Sequence, residues 1–154
     1  MNLTPHFTLA ELTASATATK KKIDNTPTAT EQGHLQCLAA YLLEPLRVAW
    51  GSPITVTSGY RGPKLNTSIG GAKKSAHLQG YAADIVPQNG DIKRFKRYVR
   101  DWLIANDVAF DQYIDERNTA GSEWVHLGLI SPEGTQRRQF LATLNGKDYT
   151  PIIV

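Results

Sequence analysis

Cysteine is nearly absent. Cys37 stands alone in 154 residues, so no internal disulfide can form and a cysteine-based zinc site is excluded. Any metal must be held by His, Asp or Glu. Charge of one sign is also scarce, since 17 Lys and Arg against 14 Asp and Glu leave +3, with an isoelectric point near 9.0. So small a bias tolerates an anionic partner such as a cell wall but is no polybasic footprint, and no nucleic-acid partner is expected. No apolar run reaches the length of a membrane span, and residues 1–22 lack the charged start and apolar core of a secretory signal. The expectation is a soluble product, made in the cytoplasm without signal peptide and without a membrane partner. HExxH, the GxSxG elbow, an RNP-like aromatic motif and a Gly-rich phosphate loop before a helix are all missing. That sets aside helical zincins, elbow-type serine hydrolases and the common nucleic-acid modules.

What remains is ordinary for a globular chain, with 41% hydrophobic and 20% charged residues, and the length predicts a single domain over residues 1–154. Thr8 with Glu11, and Thr28 with Glu31, read as capping boxes that open helices. Leu35, Leu38, Ala39, Leu42, Leu43 and Leu46 recur at helical spacing, with Pro45 expected to kink the helix or split off its last turn. Lys20 to Asn25 reads as a surface connection. Ile54 to Thr57 and Ala82 to Val86 read as strands, separated by a Gly- and Ser-rich loop with about one helical turn. A helix from Asp91 to Ala105 buries Ile92, Phe95, Val99 and Leu103, and its Lys93, Arg94, Lys96, Arg97 and Arg100 are expected to form a solvated face. Strands then follow at Phe110 to Asp115, Trp124 to Ile130 and Arg138 to Leu144, with Glu116 to Ser122 as a turn. Helices first and strands later predict an α+β fold with a small, mainly antiparallel sheet flanked by helices.

Of four histidines, two keep suggestive company. His77 is followed seven residues later by Asp84, a carboxylate set between Ala83 and Ile85 on an apolar strand. Such a charge must be paired, hydrogen-bonded or bound to a cation, because burying it bare is costly. His126 is titratable inside the apolar run Trp124 to Leu129. Two imidazoles and one carboxylate make a three-ligand catalytic zinc shell with a fourth position left for water. Its chemistry needs a proton shuttle, and Glu123, three residues before His126, is the natural choice. Residues three apart on a regular strand face opposite ways, so this role requires a bulge or a place at the strand entrance. Arg61 lies just past a strand end, where a guanidinium can bind a carboxylate or carbonyl. Ser75 offers a hydroxyl beside it, and Asp111 and Gln112 are further candidates to line the site.

The blocks SGYRGPKLN (Ser58 to Asn66), GGAKKSAHLQGYAADI (Gly70 to Ile85) and EWVHLG (Glu123 to Gly128) resemble the signatures of the zinc D-Ala-D-Ala peptidases, the M15 peptidase family. FTLAELTAS, IDNTP and LLEPLR are similar to the subgroup common in bacteriophages and gut bacteria. The resemblance implies a Hedgehog/D-Ala-D-Ala peptidase-like fold with one Zn²⁺ per chain on His77, Asp84 and His126. It further implies Glu123 as general base and acid, Arg61 as stabiliser of the polarised carbonyl or of substrate, and Ser75 as a substrate contact. The implied activity is hydrolysis of peptidoglycan stem peptides by a monomer, as a D-Ala-D-Ala carboxypeptidase or an L-Ala-D-Glu endopeptidase. A phage endolysin reaching the wall after holin-mediated release fits this picture. The alternative is a non-catalytic, zinc-containing module that only binds wall peptide.

Overall fold

The computed structural model describes residues 1–154. A short hairpin, β1 (Asn2–Thr4) with β2 (Phe7–Thr8), leads into α1 (Leu9–Thr13) and α2 (Ala16–Lys21), then α3 (Ala29–Leu38). Both capping boxes are formed, Thr8 with Glu11 and Thr28 with Glu31. After α3 the chain widens into one π-helical turn, Ala39–Leu43, before α4 (Glu44–Trp50), which has Pro45 in its first turn. Proline has no N–H to give and clashes with the preceding turn. The wide turn absorbs that conflict, so the helix neither breaks nor loses its stripe: Leu38, Leu42, Leu43 and Leu46 are all fully buried. Each such leucine contributes roughly 1.5–3 kcal/mol of burial.

The remaining elements are β3 (Ile54–Ser58), α5 (Pro63–Ser68), α6 (Ala76–Gln79), β4 (Ala82–Pro87), α7 (Ile92–Ala105), β5 (Gln112–Arg117), β6 (Glu123–Gly128), β7 (Gln139–Thr143) and β8 (Tyr149–Pro151). Six of these strands form one sheet in the order β3-β4-β6-β5-β7-β8, antiparallel except for the β5–β7 pair. The α+β, mainly antiparallel expectation holds. The differences are local. The hairpin β1–β2, helix α2 and strand β8 were not expected, and the Gly- and Ser-rich loop holds two short helices instead of one turn. Strand β5 runs two residues further than predicted, which puts Glu116 in the sheet and not in a turn.

Strand alternation sorts the sheet into two faces. Ala83, Ile85, Tyr113, Val125 and Leu127 join the buried core with Leu12, Leu35, Phe95 and Val99 from the helices. Asp84, Ile114, Glu116, Trp124 and His126 point the other way, into a cleft. Helices α4 and α7 pack behind the sheet, with Trp50 against Phe95 and Tyr98 at 5.1 Å between ring centroids. No helix is long and apolar enough to cross a membrane.

Candidate metal centre

Three adjacent strands carry the site. Asp84 on β4 lies directly opposite His126 on β6, and His126 lies opposite Ile114 on β5. A register shift between Val56 and Ser58 bends the end of β3 and sets Ser58 opposite Asp84. The chain then passes Gly59 so close to α1 that a Cβ there would stand 2.2 Å from the Leu12 carbonyl oxygen. Only glycine permits that approach. The Gly59 carbonyl accepts a hydrogen bond from His77 Nδ1 at 2.7 Å, and His77 is 1% exposed. That bond leaves Nε2 as the lone-pair side of the neutral ring and fixes its direction, as ligand imidazoles require. Helix α6 delivers His77 and closes on Gly80 in the left-handed conformation, which turns the chain back into β4.

His77 Nε2 lies 3.2 Å from His126 Nδ1, His126 Nδ1 lies 3.2 Å from Asp84 Oδ1, and His77 Nε2 lies 3.3 Å from Asp84 Oδ1. Four tetrahedral ligands at about 2.0–2.1 Å from a zinc-sized ion stand about 3.3 Å apart, so the triangle is one face of such a shell. The donor chemistry agrees. With His77 protonated on Nδ1, its Nε2 and Asp84 Oδ1 are both acceptors, and they face each other at 3.3 Å with His126 Nδ1 as the third atom of the group. A cation between them satisfies all three at once. The three ligands expected from the sequence are thus brought together, and they form the one group of this kind in the chain.

Electrostatics keeps the donors in their binding forms. Burial pushes the His77 imidazole down, so it stays neutral. Burial opposes the charge on Asp84, and the hydrogen bond from His126 is among the contacts that hold the carboxyl below its ordinary range.

The other candidates fall differently. Glu123 does not reach the cleft. Its Oε1 accepts from Lys96 Nζ at 2.7 Å and pairs with Arg117 Nε at 3.2 Å on the helix-covered face, and the Lys96 hydrogen bond lowers its pKa. Strand β6 is regular from Glu123 to His126, so the three-residue spacing sends the two side chains to opposite faces. Besides Asp84, two carboxylates line the cleft, the exposed Glu133 and the buried Glu116, which lies opposite Trp124 on the neighbouring strand. Its Oε2 accepts from the Trp124 indole N–H at 2.5 Å. Burial raises its pKa first, and the nearby charge of Asp84 raises it further. The missed signal was alternation: Gln112, Ile114 and Glu116 share a face, but only if β5 extends through Glu116.

Arg61 lines the same cleft, and its backbone N–H donates to the His77 carbonyl at 3.0 Å. Its Nη1 reaches Asn66 Oδ1 at 3.5 Å, while its Nε is buried without a partner. Burial lowers its pKa and Asp84 and Glu116 work the other way. Ser75 lines the cleft, and its hydroxyl accepts from the His77 backbone N–H at 3.2 Å, capping α6. Gln112 lines the cleft. Asp111 does not; it is 1% exposed and clamps Arg137 through two contacts of 2.8 Å. The two remaining histidines are structural: His34 bonds the Gln79 carbonyl and stacks on Tyr81, and His6 pairs with Glu44.

An α+β sheet with a His/Asp/His triangle at the floor of a cleft, and a buried carboxylate beside it, defines a metal-site protein of the hydrolase kind. Residues 5–127 match the model of the family described as Peptidase M15, and the chain belongs to that family. One stretch of 44 residues, 28% of this chain, is 46% identical to the zinc D-Ala-D-Ala carboxypeptidase of Streptomyces albus G, of which it covers 17%.

Proposed function

We propose that the chain is a zinc-dependent peptidase that hydrolyses the stem peptides of peptidoglycan, as a D-Ala-D-Ala carboxypeptidase or an L-Ala-D-Glu endopeptidase. The observation that carries this reading is the donor triangle of 3.2, 3.2 and 3.3 Å at the floor of a cleft of about 770 Å³. Membership of the M15 peptidases and the stretch similar to a zinc carboxypeptidase support it. His77 Nε2, Asp84 Oδ1 and His126 Nδ1 would hold one ion. Zinc, when bound, supplies Lewis acidity and makes water nucleophilic near neutral pH.

The chain's own groups do the rest. Glu116, and not Glu123, takes the proton released by the attacking water and returns it to the leaving amine. A carboxyl raised by burial is suited to both halves of that task. The Trp124 N–H holds one oxygen of Glu116 and leaves the other free. Arg61 lines the cleft with its guanidinium, where it orients the peptide and offsets negative charge developing on the carbonyl. Ser75 acts first through His77, by fixing the helical turn that carries the ligand. A module that merely held wall peptide would have no need of a desolvated carboxylate beside the triangle, so Glu116 speaks for turnover.

The test is to incubate zinc-loaded protein with muropeptides, with and without chelator, and to weigh the products by mass spectrometry. Products that vanish with chelator and return with zinc support the peptidase, and their masses identify the bond cut. Metal-dependent binding without cleavage would replace it with the binding module.

A further inference from the structure

We infer that Tyr149 is a substrate-positioning residue, a hydrogen-bond donor to a peptide oxygen on the cleft wall facing Arg61. The inference rests on the peptide reading above and names a contact that neither the zinc triangle nor the matched family segment contains, since that segment ends at residue 127. Beyond it the chain adds β7 and β8 to the sheet, and the register shows what they are aimed at. Trp124 pairs with Glu116, Glu116 with Thr143, and Thr143 with Tyr149, a single row across four neighbouring strands. Residues in such a row share a face of the sheet. Trp124, Glu116 and Tyr149 accordingly line one cleft, with Thr143 buried between them.

Tyr149 enters from the β8 edge of the sheet, whereas Arg61 enters from the β3 edge, so a peptide in the cleft lies between the two. Tyr149 is 46% exposed, which leaves it within reach of a ligand. Its single O–H donates only to the Gly146 carbonyl, at a long 3.3 Å, a bond that a substrate oxygen can replace. Burial, Glu116 and Asp84 all raise the phenol's pKa, with Arg61 opposing, so the group stays protonated at working pH. With carboxylates already on the floor of the cleft, a neutral O–H complements the carbonyl or carboxylate oxygens of a peptide. It adds no further charge.

The test compares zinc-loaded wild type with Tyr149→Phe, which keeps the ring and removes only the hydroxyl. Steady-state kinetics on a stem pentapeptide ending in D-Ala-D-Ala gives kcat/KM, and calorimetric titration with the cleavage product gives an affinity independent of turnover. Loss of one hydrogen bond to substrate should weaken both by roughly 5- to 30-fold, with zinc content and thermal midpoint unchanged. Equal kcat/KM and equal product affinity would overturn the Tyr149 assignment while leaving the peptidase standing. A wild type that neither binds nor cleaves the peptide would remove the peptide reading, and this inference with it.

Discussion

Two conservative substitutions, Glu116→Gln and Glu123→Gln, separate the face of the sheet that does chemistry from the face that packs. Glutamine matches glutamate in shape, and at position 116 its amide oxygen can still accept from the Trp124 indole, so neither cleft geometry nor the ligands should move. What disappears is the proposed proton acceptor. General-base contributions of about 10²- to 10⁴-fold correspond to roughly 3–5 kcal/mol of barrier, and kcat/KM should fall by that factor with zinc content unchanged. At position 123 the same change removes the negative charge that pairs with Lys96, which keeps Asp115, and with the half-exposed Arg117. Since the Glu123 side chain is partly solvated, the expected cost is about 1 kcal/mol or less in denaturant unfolding, with kcat/KM within about 3-fold of wild type. The assay is a stopped-time digest of stem peptide read by mass spectrometry, beside zinc analysis of the same samples. A large loss in Glu123→Gln together with near-normal turnover in Glu116→Gln would refute the reasoning from strand alternation.

Gly59→Ala should cost both stability and metal, because the new methyl meets the Leu12 carbonyl at 2.2 Å and the displaced Gly59 carbonyl no longer holds His77 Nδ1. The expectation is a loss of roughly 1–3 kcal/mol in unfolding and at least ~10-fold in zinc affinity; normal values for both would show the close approach is dispensable. Alkaline pH should also weaken the fold. Tyr60 is buried, donates to Glu31 Oε1 at 3.2 Å, and is pushed up to about 12 by burial and by Glu31. An unfolded tyrosine ionises near pH ~10, so above that pH the unfolded state binds fewer protons than the folded one and stability falls as pH rises. Denaturant midpoints measured across this range should decline, and Tyr60→Phe should flatten part of the decline; an unchanged slope in the variant would contradict the linkage.

The proposed metal ligands were legible because each broke a local rule. Asp84 sits among apolar neighbours on a strand, and His126 interrupts another, so burial itself announced a partner. The capping boxes at Thr8 and Thr28 were legible for a similar reason, since side-chain and backbone needs coincide there. Glu116 was hidden by a boundary. Its neighbours through Ser122 have turn composition, and pairing with β6, not propensity, carries β5 through to Arg117. Glu123 misled because spacing in sequence was read without the parity of the strand. Tyr149 was out of view because β8 has three residues, ends in proline, and exists only through pairing with β7. The π-helical turn before Pro45 likewise has no sequence mark of its own; it is how a buried leucine stripe survives a residue that cannot donate.

The most direct measurement is zinc stoichiometry and affinity, by metal analysis and calorimetric titration of the wild type alongside His77→Ala, Asp84→Asn and His126→Ala. One ion per chain in the wild type, and loss of at least ~10² in affinity in each variant whose fold is intact by circular dichroism, is what convergence of the three donors predicts. A wild type that takes up no zinc, or variants that bind it as tightly as the parent, would contradict it.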